Sequence, residues 1–193
     1  MAEAPRRTSW TWDEYLAWEA AQPIRYELVD GQVHAMGGGT AEHDAIGNNL
    51  RGELRERLRG TPCRAHGPDL KVAAGENGRY PDALIDCGPR VPASVAAQNP
   101  VAVFEVLSQS TSWIDQGKKV RDYDAVPGIG RYVLISQDET RALAYARGAD
   151  GHLSISAATF VTGLADSIPV PEAGIELPME RLYEGLSLPP DGP

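Results

Sequence analysis

The feature that most constrains this chain is residues 101–107, VAVFEVL, a nearly unbroken apolar run with one carboxylate, Glu105, inside it. An apolar run without polar alternation marks a strand covered on both faces. A second such run, RYVLISQ at 131–137, follows an intervening stretch of helical character. Doubly covered strands need helices on both sides of a sheet, so the expected class is α/β or α+β with a mixed central sheet. At 193 residues the chain is long enough for one domain with a sizeable core.

The remaining segments fit that plan. TWDEYLAWEA at 11–20 opens on Thr11 with Glu14 three residues on, a capping-box spacing, and Pro23 closes the helix. Asp30-Gly31 sits between two short alternating runs and predicts a hairpin. Ile46, Leu50, Leu54 and Leu58 recur every four residues, the buried face of a long helix that Gly60 ends. CRAH and LKVAA read as a strand pair around Gly67-Pro68, and RYPDALIDC as the next strand. ALAYARG and LSISAA read as a later hairpin, followed by a short element at 175–177, a short helix near 178–185 and a disordered end. The expected division is a flexible N-terminus at 1–7, a single domain over 8–186 and a flexible tail at 187–193.

Composition excludes several classes. No run approaches the ~20 apolar residues of a membrane helix. MAEAPRRTSW has no apolar stretch after its arginines, so it does not read as a secretory signal. Cys63 and Cys87 make no disulfide framework, and a reducing cytoplasm is the default expectation. A net charge of −9 argues against non-specific coating of nucleic acid, which rests on many Lys and Arg contacts to phosphate. Arg51, Arg55, Arg57, Arg59 and Arg64 do cluster, but Glu53 and Glu56 interrupt them, as on a solvated helix face.

The candidate chemistry centres on acids. Asp82, Leu84 and Asp86 alternate with apolar neighbours and share one strand face. A carboxylate inside a core strand is costly unless it is paired or binds a cation. Consecutive strands are commonly neighbours, so Asp82 and Glu105 can present oxygens to one ion, and such hard ligands suit Mg²⁺. The alternative is a core Arg or Lys paired with Glu105. Lys119 lies four residues after Asp115 and four before Tyr123, on one helix face, either as a surface ion pair or as a group aimed at the acids. Glu27 is either a further acid over the metal or a water-facing strand residue. His43 reads as a cap or surface imidazole, and Cys63 and His66 lack the remaining ligands of a zinc site. MGGGT at 36–40 lacks the Lys-Ser/Thr of a P-loop and reads as a connector.

Together, YPD at 80–82, FEVLS at 104–108, ST at 110–111 and DQGKKVRDY at 115–123 resemble the PD-(D/E)xK restriction-endonuclease-like superfamily. The branch they resemble is the bacterial family of Uma-type restriction endonucleases, formerly a domain of unknown function. YELVDGQV at 26–33, His43 and PGIGRYVLIS at 127–136 extend the likeness to about residues 8–186. The resemblance implies a mixed sheet flanked by helices and Mg²⁺-dependent hydrolysis of DNA phosphodiester bonds, with Mn²⁺ able to substitute. It implies Asp82 and Glu105 as metal ligands, with Glu27 completing or orienting the site. The superfamily lysine is expected two residues after Glu105, where this chain has Leu107; the family's lysine lies on the next helix, here Lys119. Ser108, Ser110 and Thr111 then either contact a phosphate or cap that helix. Cutting both strands of a duplex needs two sites, so a homodimer is expected. The competing reading is a catalytically inactive nucleic-acid- or protein-binding module on the same fold.

Overall fold

The computed structural model describes residues 9–107 and 113–187, with the side chains of 113–116 excepted. In chain order the elements are α1 (Trp12–Glu19), β1 (Tyr26–Val29), β2 (Gln32–Ala35), α2 (Ala41–Arg57), β3 (Arg64–His66), β4 (Val72–Ala74), β5 (Asn77–Arg79), β6 (Ala83–Asp86), β7 (Pro100–Leu107), α3 (Trp113–Asp124), β8 (Arg131–Ser136), β9 (Arg141–Arg147), β10 (Leu153–Thr162), β11 (Ser167–Val170), β12 (Ile175–Pro178) and α4 (Met179–Leu182). The expected loop residues Ser108, Ser110 and Thr111, and nearly all of both termini, lie outside the described residues.

The main sheet has six strands in the order β10-β9-β8-β7-β6-β3. Only β7 and β8 run parallel, and α3 is the crossover between them, as a parallel pair requires. The sheet is therefore mixed and flanked by helices, as expected. Strand parity sorts β7: Ala102, Phe104 and Val106 pack with Ile46, Leu50, Leu54 and Leu58 of α2. Val103 turns to the opposite face, among Tyr123 of α3, Tyr132 and Leu134. Glu105 shares that parity, so its carboxylate is delivered to the α3 side.

A second sheet, β2-β1-β5-β4, carries the hairpin on one edge. Asp30 and Gly31 take φ of 51° and 73°, the left-handed pair of a two-residue hairpin turn. Thr11 and Glu14 close the capping box of α1, whose Tyr15 packs with Tyr26 and Leu28 under this sheet. The third sheet pairs β11 with β12 and covers the α2 side of the core.

Three expectations are corrected. CRAH and LKVAA do not pair: β3 joins β6 in the main sheet, while β4 joins β5 in the small one. RYPDALIDC is not one strand, because the chain leaves the small sheet after Arg79 and enters the main sheet at Ala83, placing Asp82 in the crossing segment. Cys63 and Cys87 are joined by a disulfide. They flank the β3–β6 pairing of Arg64 with Asp86, so the ladder itself brings them together.

Candidate active site

The antiparallel register of β6 and β7 pairs Ala83 with Phe104. One step further, Asp82 comes to Glu105. Asp82 is half-buried and its Oδ2 accepts the Val106 N–H at 2.7 Å, which fixes the carboxylate just before β6. His43 Nε2 lies 3.4 Å from the same oxygen. The hydrogen bond with Asp82 is the main reason the His43 pKa is raised, against an opposing effect of burial.

Glu105 is 6% exposed. Lys119 Nζ donates to its Oε2 at 2.9 Å, and the Tyr123 hydroxyl donates to its Oε1 at 2.9 Å. Lys119 and Tyr123 are one helical turn apart, so a single face of α3 clasps the acid. Burial pushes the Glu105 pKa up to about 7; Lys119 pulls it down, while Asp82 and Glu27 add to the rise. Burial and the neighbouring Glu105 hold the Tyr123 hydroxyl well above its ordinary pKa. It therefore stays a donor.

Glu27 faces the same cleft with both oxygens engaged. Oε2 accepts from Arg79 at 2.8 Å and Oε1 from the Tyr80 N–H at 3.1 Å. Arg79 is 2% exposed and also meets Asp122 of α3, through Nε at 2.7 Å and Nη2 at 2.6 Å. Burial alone would lower its pKa, but Glu27 and Asp122 outweigh this and raise it. Arg79 thus ties the hairpin sheet to the helix that carries Lys119.

These groups open onto one cleft of about 500 Å³, lined by Glu27, Asp82, Glu105, Lys119, His43 and the 37–39 glycines. The structure therefore brings Asp82, Glu105, Lys119 and Glu27 to a single place. The glycine connector forms part of its wall. A Cβ on Gly39 would come 2.8 Å from His43 Nδ1, so the bare backbone is what leaves room for the imidazole beside Asp82.

Asp86, placed by the sequence pattern on the same strand face as Asp82, lies outside this cleft. It is 3% exposed and accepts from the N–H groups of Gly88, Gln98 and Asn99, fixing the loop between β6 and β7. Leu107, at the usual lysine position, also lines the cleft. Sequence reasoning missed the roles of His43 and Arg79. The one signal for Arg79 was a strand arginine next to Tyr80-Pro81-Asp82, which does not name its partners.

The donor set fits a hard, hydrated cation. Among the described residues no three His, Cys, Asp or Glu side chains gather into a metal cage. Asp82 and Glu105 are two carboxylates at an open cleft, and Mg²⁺ is commonly held by one or two carboxylates with water completing its shell. A closed zinc-type site does not fit.

The fold and the cleft define a restriction-endonuclease-like protein. Residues 12–180 match the model of the Uma2 family, described as "Putative restriction endonuclease". The chain belongs to that family. It is 32% identical over 178 residues to the uncharacterized protein slr1290 of Synechocystis sp., covering 91% of this chain and 92% of that one. A second Synechocystis protein, sll1609, is 27% identical over 129 residues, covering 64% of this chain and 73% of the other. A crystal structure from Anabaena variabilis, described as a putative nuclease belonging to DUF820, superposes with a TM-score of 0.70 at 19% identity, over 90% of this chain and 97% of that one.

Proposed function

We propose that this chain is a metal-dependent endonuclease that hydrolyses DNA phosphodiester bonds. The observation that carries the reading is the 2.9 Å contact of Lys119 with Glu105. A lysine from α3 reaches the buried acid of β7, in the cleft that also holds Asp82. A buried acid paired only for structure needs no opening to solvent, whereas this pair lines the cleft beside Asp82.

In this reading Asp82 and Glu105 hold Mg²⁺, or Mn²⁺ in its place. When bound, the cation supplies a Lewis acid that lowers the pKa of water and offsets charge developing on the phosphate. The Val106 N–H and His43 fix the Asp82 carboxylate. Tyr123 fixes Glu105. Lys119 holds a positive charge at the cleft, where a preoriented charge in a sheltered site acts more strongly than in water. Glu27 acts as a positioning residue: its carboxylate accepts from the buried Arg79 and from the Tyr80 N–H.

Cleavage of both strands implies a symmetric pair of chains. Incubation with supercoiled plasmid tests the function. Nicked and linear products with Mg²⁺ or Mn²⁺, and none in EDTA, are expected; an intact plasmid with either metal contradicts it.

A further inference from the structure

A groove runs beside the cleft between α2 and the edge strand β3. Its two ends share Arg55, Ala65 and His66, so they form one channel. Arg51 and Arg55 lie one turn apart on α2 and face it, and Arg59, two residues past the end of that helix, lines its continuation. Arg51 and Arg55 are ~6 Å apart along the helix axis, about two steps of a DNA strand at ~3.4 Å each. Arg64 and Arg90 line the facing side.

Five arginines on one face stand out in a chain whose net charge is −9. Arg59 pairs with Glu56 at 2.9 Å, and Arg64 lies 3.9 Å from Asp86. Arg51, Arg55 and Arg90 have no carboxylate partner among the described residues. Arg51 Nη1 donates to the Asp82 main-chain oxygen at 3.2 Å, so the groove abuts the segment that carries the candidate metal ligand. Between Arg51 and Arg55, Gly52 lines the groove, and a Cβ there would meet nothing within 4 Å. Glycine is a poor helix former. No contact within the chain requires it.

We propose that this arginine groove seats the sugar-phosphate backbone of duplex DNA and leads it to the cleft of Asp82 and Glu105. The proposal rests on the endonuclease reading for its choice of DNA. The charge and the placing of the arginines carry the surface itself.

The test measures binding, not cutting. A short fluorescein-labelled duplex is titrated with protein in EDTA, and anisotropy is followed across a salt series. Arg55→Ala is expected to weaken binding about five- to ten-fold near 0.1 M salt and to lower the log–log salt slope by about 0.9, one phosphate contact. Arg55→Lys should bind like the wild type. Gly52→Leu alters no charge and suits the helix. It should melt at or above the wild-type temperature yet bind at least as weakly as Arg55→Ala. The proposal is overturned if the wild type does not bind the duplex at low salt. It is equally overturned if Arg55→Ala and Gly52→Leu match the wild type in affinity and slope. Plasmid cleavage by variants with unaltered binding would leave the endonuclease standing without this groove. Groove-dependent binding without metal-dependent cleavage would leave the groove standing on a binding module.

Discussion

Arg79→Met tests how the lysine helix is held. The guanidinium is 2% exposed and lies between Glu27, at 2.8 Å, and Asp122, at 2.6 Å from Nη2. Those side chains are 14% and 13% exposed, so water replaces little of what the arginine supplies. Removing one member of a buried ion pair typically costs about 3–5 kcal/mol, because the remaining charge is left uncompensated. For a chain of this length each kcal/mol shifts Tm by about 2–4 °C, so a fall of about 6–20 °C is expected. Thermal unfolding followed by circular dichroism measures it. Adding Glu27→Gln and Asp122→Asn to Arg79→Met removes the stranded charges and should recover most of the loss. A fall below about 3 °C, or a triple variant no better than the single, would refute the reasoning. Asp122 is three residues from Lys119 on α3, so a folded single variant should also cut DNA more slowly.

The other expectations concern the site and the crosslink. Leu107 shares its strand face with Glu105 and lines the cleft, so Leu107→Lys in a Lys119→Met background should restore part of the lost cleavage; no recovery would mean that a lysine there does not reach the acids. Because the Glu105 pKa is pushed up to about 7, its carboxyl must lose a proton to take a cation. Calorimetric Mg²⁺ affinity should therefore rise with pH, by up to about tenfold per unit below 7, and level off above it; a flat profile would contradict the assignment. Cys63 and Cys87 close a loop with a sequence separation of 24, so Cys63→Ala with Cys87→Ala should cost about 3 kcal/mol in urea unfolding.

The features that the sequence disclosed are those with a local period or a fixed local geometry. The four-residue spacing of Ile46, Leu50, Leu54 and Leu58 marked the face of α2 that is in fact buried. Asp30-Gly31 marked the hairpin turn, and VAVFEVL marked a central strand. Pairing across a break was not legible. Nothing local shows that the chain changes sheets between Arg79 and Ala83, so β3 was matched with the wrong strand.

Of the candidate site, Asp82, Glu105 and Lys119 could be named because an acid in an apolar strand is conspicuous and the family pattern is similar. Long-range partners could not. Arg79 meets Glu27 and Asp122 across wide sequence gaps, and Lys71 meets Glu19, 2.7 Å away, in the same manner. An i,i+4 partner for Lys119 was the local expectation, and the through-space contact with Glu105 has no sequence period. His43 looked like a cap residue, and Thr40 does accept its N–H, yet its ring stands beside Asp82.

The most direct measurement is plasmid cleavage in Mg²⁺ by wild type, Asp82→Ala and Lys119→Ala, each first shown to be folded by its thermal transition. Nicking by the wild type and its loss in both variants is the predicted result. Nicking that persists undiminished in either variant, or a wild type that leaves the plasmid intact, would contradict the assignment of Asp82, Glu105 and Lys119 as the cutting centre.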